Sequence, residues 1–144
     1  MNEGLVLAEV DPDEKQGCLL ELRCRMPETL RREEFRTFAR ALCQQVLERG
    51  ARYVSRQEVP WETIRNEERA HRVTAETTFA SSERIDDYLL EKMSAWYAEV
   101  CLLEQPFIQE PKRVVGQVLE SLQHEVGDQI EVRRFSHYVV TEGR

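Results

Sequence analysis

Four cysteines, three histidines and an excess of carboxylates are the groups in this chain that could ligate a metal, attack a carbonyl or move a proton. Cys18, Cys24, Cys43 and Cys101 form no CxxC pair, and His71, His124 and His137 are scattered. Zinc needs ligands clustered at short spacing, so no zinc site is expected. Each cysteine lies in or beside an apolar stretch, where a free thiol behaves as a small buried hydrophobe. His137 falls in the last apolar-rich segment, opposite in parity to Tyr138. A histidine there could serve as a base near neutral pH, but a surface or interface position is the simpler reading. The sequence contains no GxxxxGK[ST] loop, no GxGxxG after a strand and no GxSxG elbow. No carboxylate is singled out by an apolar setting, and isolated Asp and Glu are overwhelmingly solvated. These residues argue against an enzyme, and no cofactor is expected.

The composition sets the same bounds. The 144 residues are 41% hydrophobic and 33% charged, with a formal net charge of −7. That suits one folded domain rather than a disordered chain. Nucleic-acid binders usually carry a basic balance or face. Here Arg31-Arg32 and Arg133-Arg134 sit among carboxylates and read as solvated surface, so no direct nucleic-acid contact is expected. An acidic surface is repelled by anionic membranes. No apolar run reaches spanning length and no leader segment is visible, which implies a cytoplasmic protein with no membrane contact.

Elements can be read from hydrophobic spacing. GLVLAEV (Gly4 to Val10) is a short apolar strand. Asp11-Pro12-Asp13 is a turn, because Pro fixes its backbone and Asp can bond its own. In GCLLELRCR (Gly17 to Arg25), Leu20, Leu22 and Cys24 alternate with polar residues, the period of a half-buried strand. The two predict an antiparallel hairpin. From about Thr29 to Arg49, Phe35, Phe38, Leu42 and Val46 form a helical stripe stopped by Gly50. Ser55-Arg56-Gln57-Glu58 fits a capping box. Trp61 to about Phe79 predicts a helix that is charged and exposed over much of its surface. Beyond Ser81-Ser82, the residues Ile85, Leu89, Met93, Trp96, Val100 and Leu103 make a continuous stripe expected to face the core, ending before Pro106. Pro111 is expected to open a further helix through Val114, Val115, Val118, Leu119 and Leu122, stopped by Gly127. IEVRRFSHYVV (Ile130 to Val140) is a β-rich strand, and Thr141 to Arg144 is expected to fray. A hairpin and a late strand around a block of helices imply an α+β fold. Its sheet would be small and antiparallel, of about three strands, with helices on one face.

Two strings are specific. EVCLLEQPF spans Glu99 to Phe107 and GDQIEVRRF spans Gly127 to Phe135. At this separation the pair resembles the translation elongation factor Ts family. Leu20 to Cys24 (LELRC) is similar to that family's LVELNC strand, and Tyr53 to Pro60 (YVSRQEVP) to its YVSREEVP. Gly4-Leu5-Val6 resembles the start of its core. The likeness runs in order over nearly the whole chain.

The resemblance implies an α+β core with an antiparallel sheet, residues 1–144 being a single core or dimerisation domain of the short type. The small N-terminal helical, UBA-like module of the family is expected to be absent. It implies elongation factor Tu as partner, from which the family speeds GDP release, and a homodimer joined through the sheets. The family's partner-contacting motif is Thr-Asp-Phe-Val. Aligned without gaps between Cys24 and Phe35, it falls on Met26, Pro27, Glu28 and Thr29, and none of the four positions matches. A second expected contact surface is the last strand, at Arg133, Arg134, Phe135, His137 and Tyr138. The alternative implied by the rewritten motif is a relative that keeps the fold and an interaction role without nucleotide exchange.

Overall fold

The computed structural model describes residues 1–141. Strand β1 (Glu3–Val10) pairs antiparallel with β2 (Gln16–Cys24). The hairpin loop is closed by Asp11, whose carboxylate accepts from the Lys15 and Gln16 amides at 3.0 and 3.2 Å. A 3-10 turn over Pro27–Arg31 precedes α1 (Glu33–Arg49), which ends on Gly50 at φ 64°. A backbone with positive φ suits glycine, and the Gly50 amide closes the helix on the Val46 carbonyl. Next come α2 (Trp61–Thr78), α3 (Ser82–Val100), the short strands β3 (Pro106–Phe107) and β4 (Glu110–Val114), α4 (Val115–Val126) and β5 (Ile130–Val139). The main sheet has the order β1-β2-β5, all antiparallel. This is the expected α+β arrangement with a small three-stranded sheet.

The sheet's inner face carries Cys18, Leu20, Leu22 and Cys24 from β2 and Ile130 and Val132 from β5. Phe35, Phe38, Leu42, Cys43 and Val46 of α1 close over it. Burying each large side chain here contributes about 1.5–3 kcal/mol. Cys101 is buried as well, so all four cysteines are free and interior.

Several boundaries differ from the sequence reading. The helix expected from about Thr29 begins only at Glu33. Arg32 is extended (ψ 132°), so the 3-10 turn and α1 are separate pieces. The capping box is also displaced. Ser55 makes no side-chain cap, and the Glu58 carboxylate accepts from the Val54 amide at 2.8 Å. Residues 110–114 form β4 rather than a helix, because Val114 pairs with Pro106 and Glu110 with Phe107. The α3 stripe is less buried than expected: Leu89 and Val100 are interior, while Ile85, Met93 and Trp96 are half-exposed. Helix α3 packs along α2, whose only buried residue is Ala75, rather than on the main core. It stops at Val100 because the chain must then bridge to Tyr53. The Leu102 amide donates to the Tyr53 carbonyl at 2.8 Å and the Leu103 amide to the Val54 carbonyl at 3.1 Å. Thr141 is exposed and outside any strand, and the rest of the tail lies outside the described residues.

Candidate protein-docking loop

The segment from Arg25 to Thr29 connects β2 to the 3-10 turn and is shaped by a carboxylate from the other end of the chain. Helix α4 ends on Gly127 at φ 65°, which turns the backbone so that Asp128 points back at this loop. One Asp128 carboxylate oxygen accepts from the Thr29 hydroxyl at 2.7 Å, the Met26 amide at 3.0 Å and the Arg25 amide at 3.2 Å. Thr29 and Asp128 are both buried. Beneath them the Cys24 thiol donates to the Met26 carbonyl at 3.4 Å.

Electrostatics agree with this geometry. Burial pushes the Asp128 carboxyl up, but the bonds from the Thr29 hydroxyl and the amides of Met26, Arg25 and Gln129 outweigh it and hold the group below its ordinary value. The Cys24 thiol is pushed up, first by burial and then by the nearby Asp128 charge. A thiol held protonated in this way is a packing and donor group rather than a nucleophile.

The four positions expected to meet a partner therefore divide. Met26, Pro27 and Glu28 are exposed and present an outward surface; Thr29 faces inward and holds the turn. The residues expected on the last strand divide too. A bulge at Glu21/Leu22 makes Arg133 the extra residue of β5. Arg134 and Tyr138 then point outward, while Phe135 packs on the core and His137 lies opposite Cys18, within 2.8 Å of Gln16 Oε1. The outward sheet face carries Val6, Val10, Leu19 and Tyr138, exposed by 63, 62, 47 and 74%. Beside them Glu21 accepts from Arg23 and from Arg134, each at 2.7 Å.

Asp128 is the residue that sequence reading missed. Its signal was present: an Asp directly after a helix-stopping Gly, inside GDQIEVRRF. The other string, EVCLLEQPF, is also structural. The Gln45 amide donates to Gln105 Oε1 at 3.1 Å and to the Pro106 carbonyl at 3.0 Å, and its oxygen accepts from the Ile108 amide at 2.9 Å. Gln105 donates to the Glu99 carbonyl at 2.7 Å. Glu104 takes a two-pronged bond from Arg56 at 2.7 and 2.8 Å.

A groove of about 560 Å³ lies between α1, α4 and the β3–β4 hairpin. Its floor is apolar (Phe38, Phe107, Leu122) and its rim carries Glu33, Glu34, Glu125 and Arg113. Among the described residues no three His, Cys, Asp or Glu side chains converge to hold a metal ion. Among the described residues no helix is long and apolar enough to cross a membrane.

The described geometry offers a held turn with exposed side chains, beside a sheet with an uncovered apolar face. Comparison with known proteins gives the chain's family. The profile described as "Elongation factor TS" matches residues 7–142. Elongation factor Ts of Caldanaerobacter subterraneus subsp. tengcongensis is 32% identical over 142 residues, covering 99% of this chain and 71% of that protein. The Geobacter sulfurreducens protein of the same name is 30% identical over 141 residues (98% and 65%), and that of Acetivibrio thermocellus 33% over 142 residues (98% and 66%). The chain belongs to the elongation factor Ts family, and it spans about two thirds of the length of these relatives.

The Asp128 bonds predict a specific pH dependence. Asp128→Asn should cost about 2 kcal/mol at neutral pH, because a carboxamide cannot receive all three donors as a charged oxygen does. A carboxyl lowered on folding contributes stability that is present above its unfolded value, near 4, and is lost as pH falls through the lower folded value. The gap between the native chain and the variant in urea unfolding should therefore be full at pH 7 and shrink below pH 4. A gap independent of pH would contradict the assignment.

Proposed function

We propose that this chain binds elongation factor Tu through the turn after β2 and favours the state of Tu that holds GDP poorly, promoting GDP/GTP exchange in translation elongation. The observation that most supports the reading is the turn itself. Met26, Pro27 and Glu28 are displayed on a segment clamped by Asp128, at the position where the resemblance puts the family's docking motif. A binding partner shifts a conformational equilibrium only by preferring one state, so a docking surface that keeps its shape is what such a role needs. No bond in this mechanism is made or broken by the chain.

One observation favours a second reading. Glu28 stands where the family has Phe, and it is exposed. Driving a carboxylate into an apolar pocket costs several kcal/mol. A relative that keeps the fold and an interaction role but no longer accelerates exchange would tolerate that replacement.

Stopped-flow release of a fluorescent GDP from elongation factor Tu separates the two. The first reading predicts release well above the spontaneous rate, and Glu28→Phe should strengthen binding to Tu. Binding without acceleration would establish the second reading. Absence of both would sink the Tu assignment.

We also propose that the outward sheet face joins two copies of the chain. Val6, Val10, Leu19 and Tyr138 form an uncovered apolar surface, and the edges of a three-stranded sheet are open on both sides. Sedimentation at tens of micromolar protein should report a dimer, and Leu19→Glu should convert it to monomer. A native chain that sediments as a monomer would exclude this interface.

A further inference from the structure

Helix α2 presents an outer face that neither the core nor the docking turn uses. Ile64, His71 and Ala75 lie on the side away from solvent. On the other side Trp61, Arg65, Arg69 and Arg72 follow at spacings of four, four and three, which is one stripe on a 3.6-residue period. Trp61 is 65% exposed, and the Arg65 guanidinium lies 4.4 Å from the centre of its ring. Arg65, Glu68, Arg69 and Arg72 border a cleft of about 170 Å³. Within it Arg72 is bonded to Glu68 at 3.1 Å. Arg65 and Arg69 form no salt bridge with any described residue.

The combination is unusual for this chain. Its net charge is −7, yet three guanidiniums and an exposed indole are gathered on one stripe. Tryptophan and arginine are the residue types that most often anchor protein interfaces. At about 1.5 Å rise per residue, Arg65 to Arg72 spans about 10 Å and the whole stripe about 16 Å. Glu62 and Glu76 sit at its two ends. A long polyanion laid along the helix would run onto those carboxylates and meet an acidic molecule beyond them. A short acidic segment would not.

We propose that the outer face of α2 docks an acidic helical segment of a partner protein, with carboxylates at i, i+4 and i+7 over Arg65, Arg69 and Arg72 and an apolar side chain against Trp61. The surface is separate from the Met26 to Thr29 turn, so the proposal does not depend on the reading given for that turn. Charge matching sets its specificity, and the binding should weaken with salt.

The test uses the full chain and fluorescence anisotropy with three labelled probes. These are a 16-residue helical peptide with Glu at i, i+4 and i+7 and one Leu, the same peptide with Gln for Glu, and a 20-nucleotide polyuridylate. The acidic peptide should bind at least tenfold more tightly than its Gln counterpart and than the oligonucleotide. The double variant Arg65→Glu/Arg69→Glu should lose at least tenfold in affinity for the acidic peptide, while its circular dichroism stays native, because both side chains are exposed. Trp61→Ala should weaken the same peptide without changing the salt dependence. Equal binding of the Glu and Gln peptides, binding unchanged in the double variant, tighter binding of the oligonucleotide, or no binding of the acidic peptide at millimolar concentration would each overturn the proposal.

Discussion

The carboxylate of Asp128 is the constraint on which the turn after β2 depends. It reaches across about a hundred residues of sequence to gather two amides and the buried Thr29 hydroxyl. A buried charge is tolerable when several donors converge on it, and that requirement fixes both partners. The backbone must bend at Gly127 to deliver Asp128, and the chain leaving β2 must bend at Met26 to present its amides. Strand β5 can begin at Ile130 only after that bend, with its amide bonded to Gln123 Oε1 at 2.9 Å. One interaction thus sets the end of α4, the start of β5 and the shape of the turn after β2.

A second polar arrangement does similar work for the other half. Gln45 comes from the middle of α1, inside the core, and would be costly there without partners. Its amide satisfies both sides of the chain around Pro106, while Gln105 holds the end of α3. Among the described residues no buried side-chain nitrogen or oxygen is left unpaired. The β3–β4 hairpin, too short to be stable alone, is therefore tied to the helix that covers the main sheet.

Much of the architecture was legible in spacing. The alternation of Leu20, Leu22 and Cys24 marked the central strand, and Phe35, Phe38, Leu42 and Val46 marked the helix over it. The failures share a cause. Periodicity reports which residues are apolar, not what backbone bonds they must make. The apolar stripe from Ile85 to Leu103 ran past Val100, but Cys101 to Leu103 are claimed by pairing with Tyr53 and Val54. Val114 and Val115 looked like one helical face, although a strand ends at the first and a helix begins at the second. On β5 the bulge at Arg133 was invisible, so the outward and inward sets around it could not be separated. In the turn after β2, the inward role of Thr29 was not legible. Asp128 was unread because a single carboxylate has no period. Only the contact it makes reveals it.

The outward placement of Met26, Pro27 and Glu28 holds in solution only if the turn keeps its shape, and that rests on Asp128. The most direct measurement is amide hydrogen exchange at Arg25 and Met26, compared between the native chain and Asp128→Asn. The account predicts slow exchange at both amides in the native chain and a large acceleration in the variant, with the amides of β2 and β5 remaining protected. Equal exchange at Arg25 and Met26 in the two proteins would contradict it, since the turn would then be held by something other than this carboxylate.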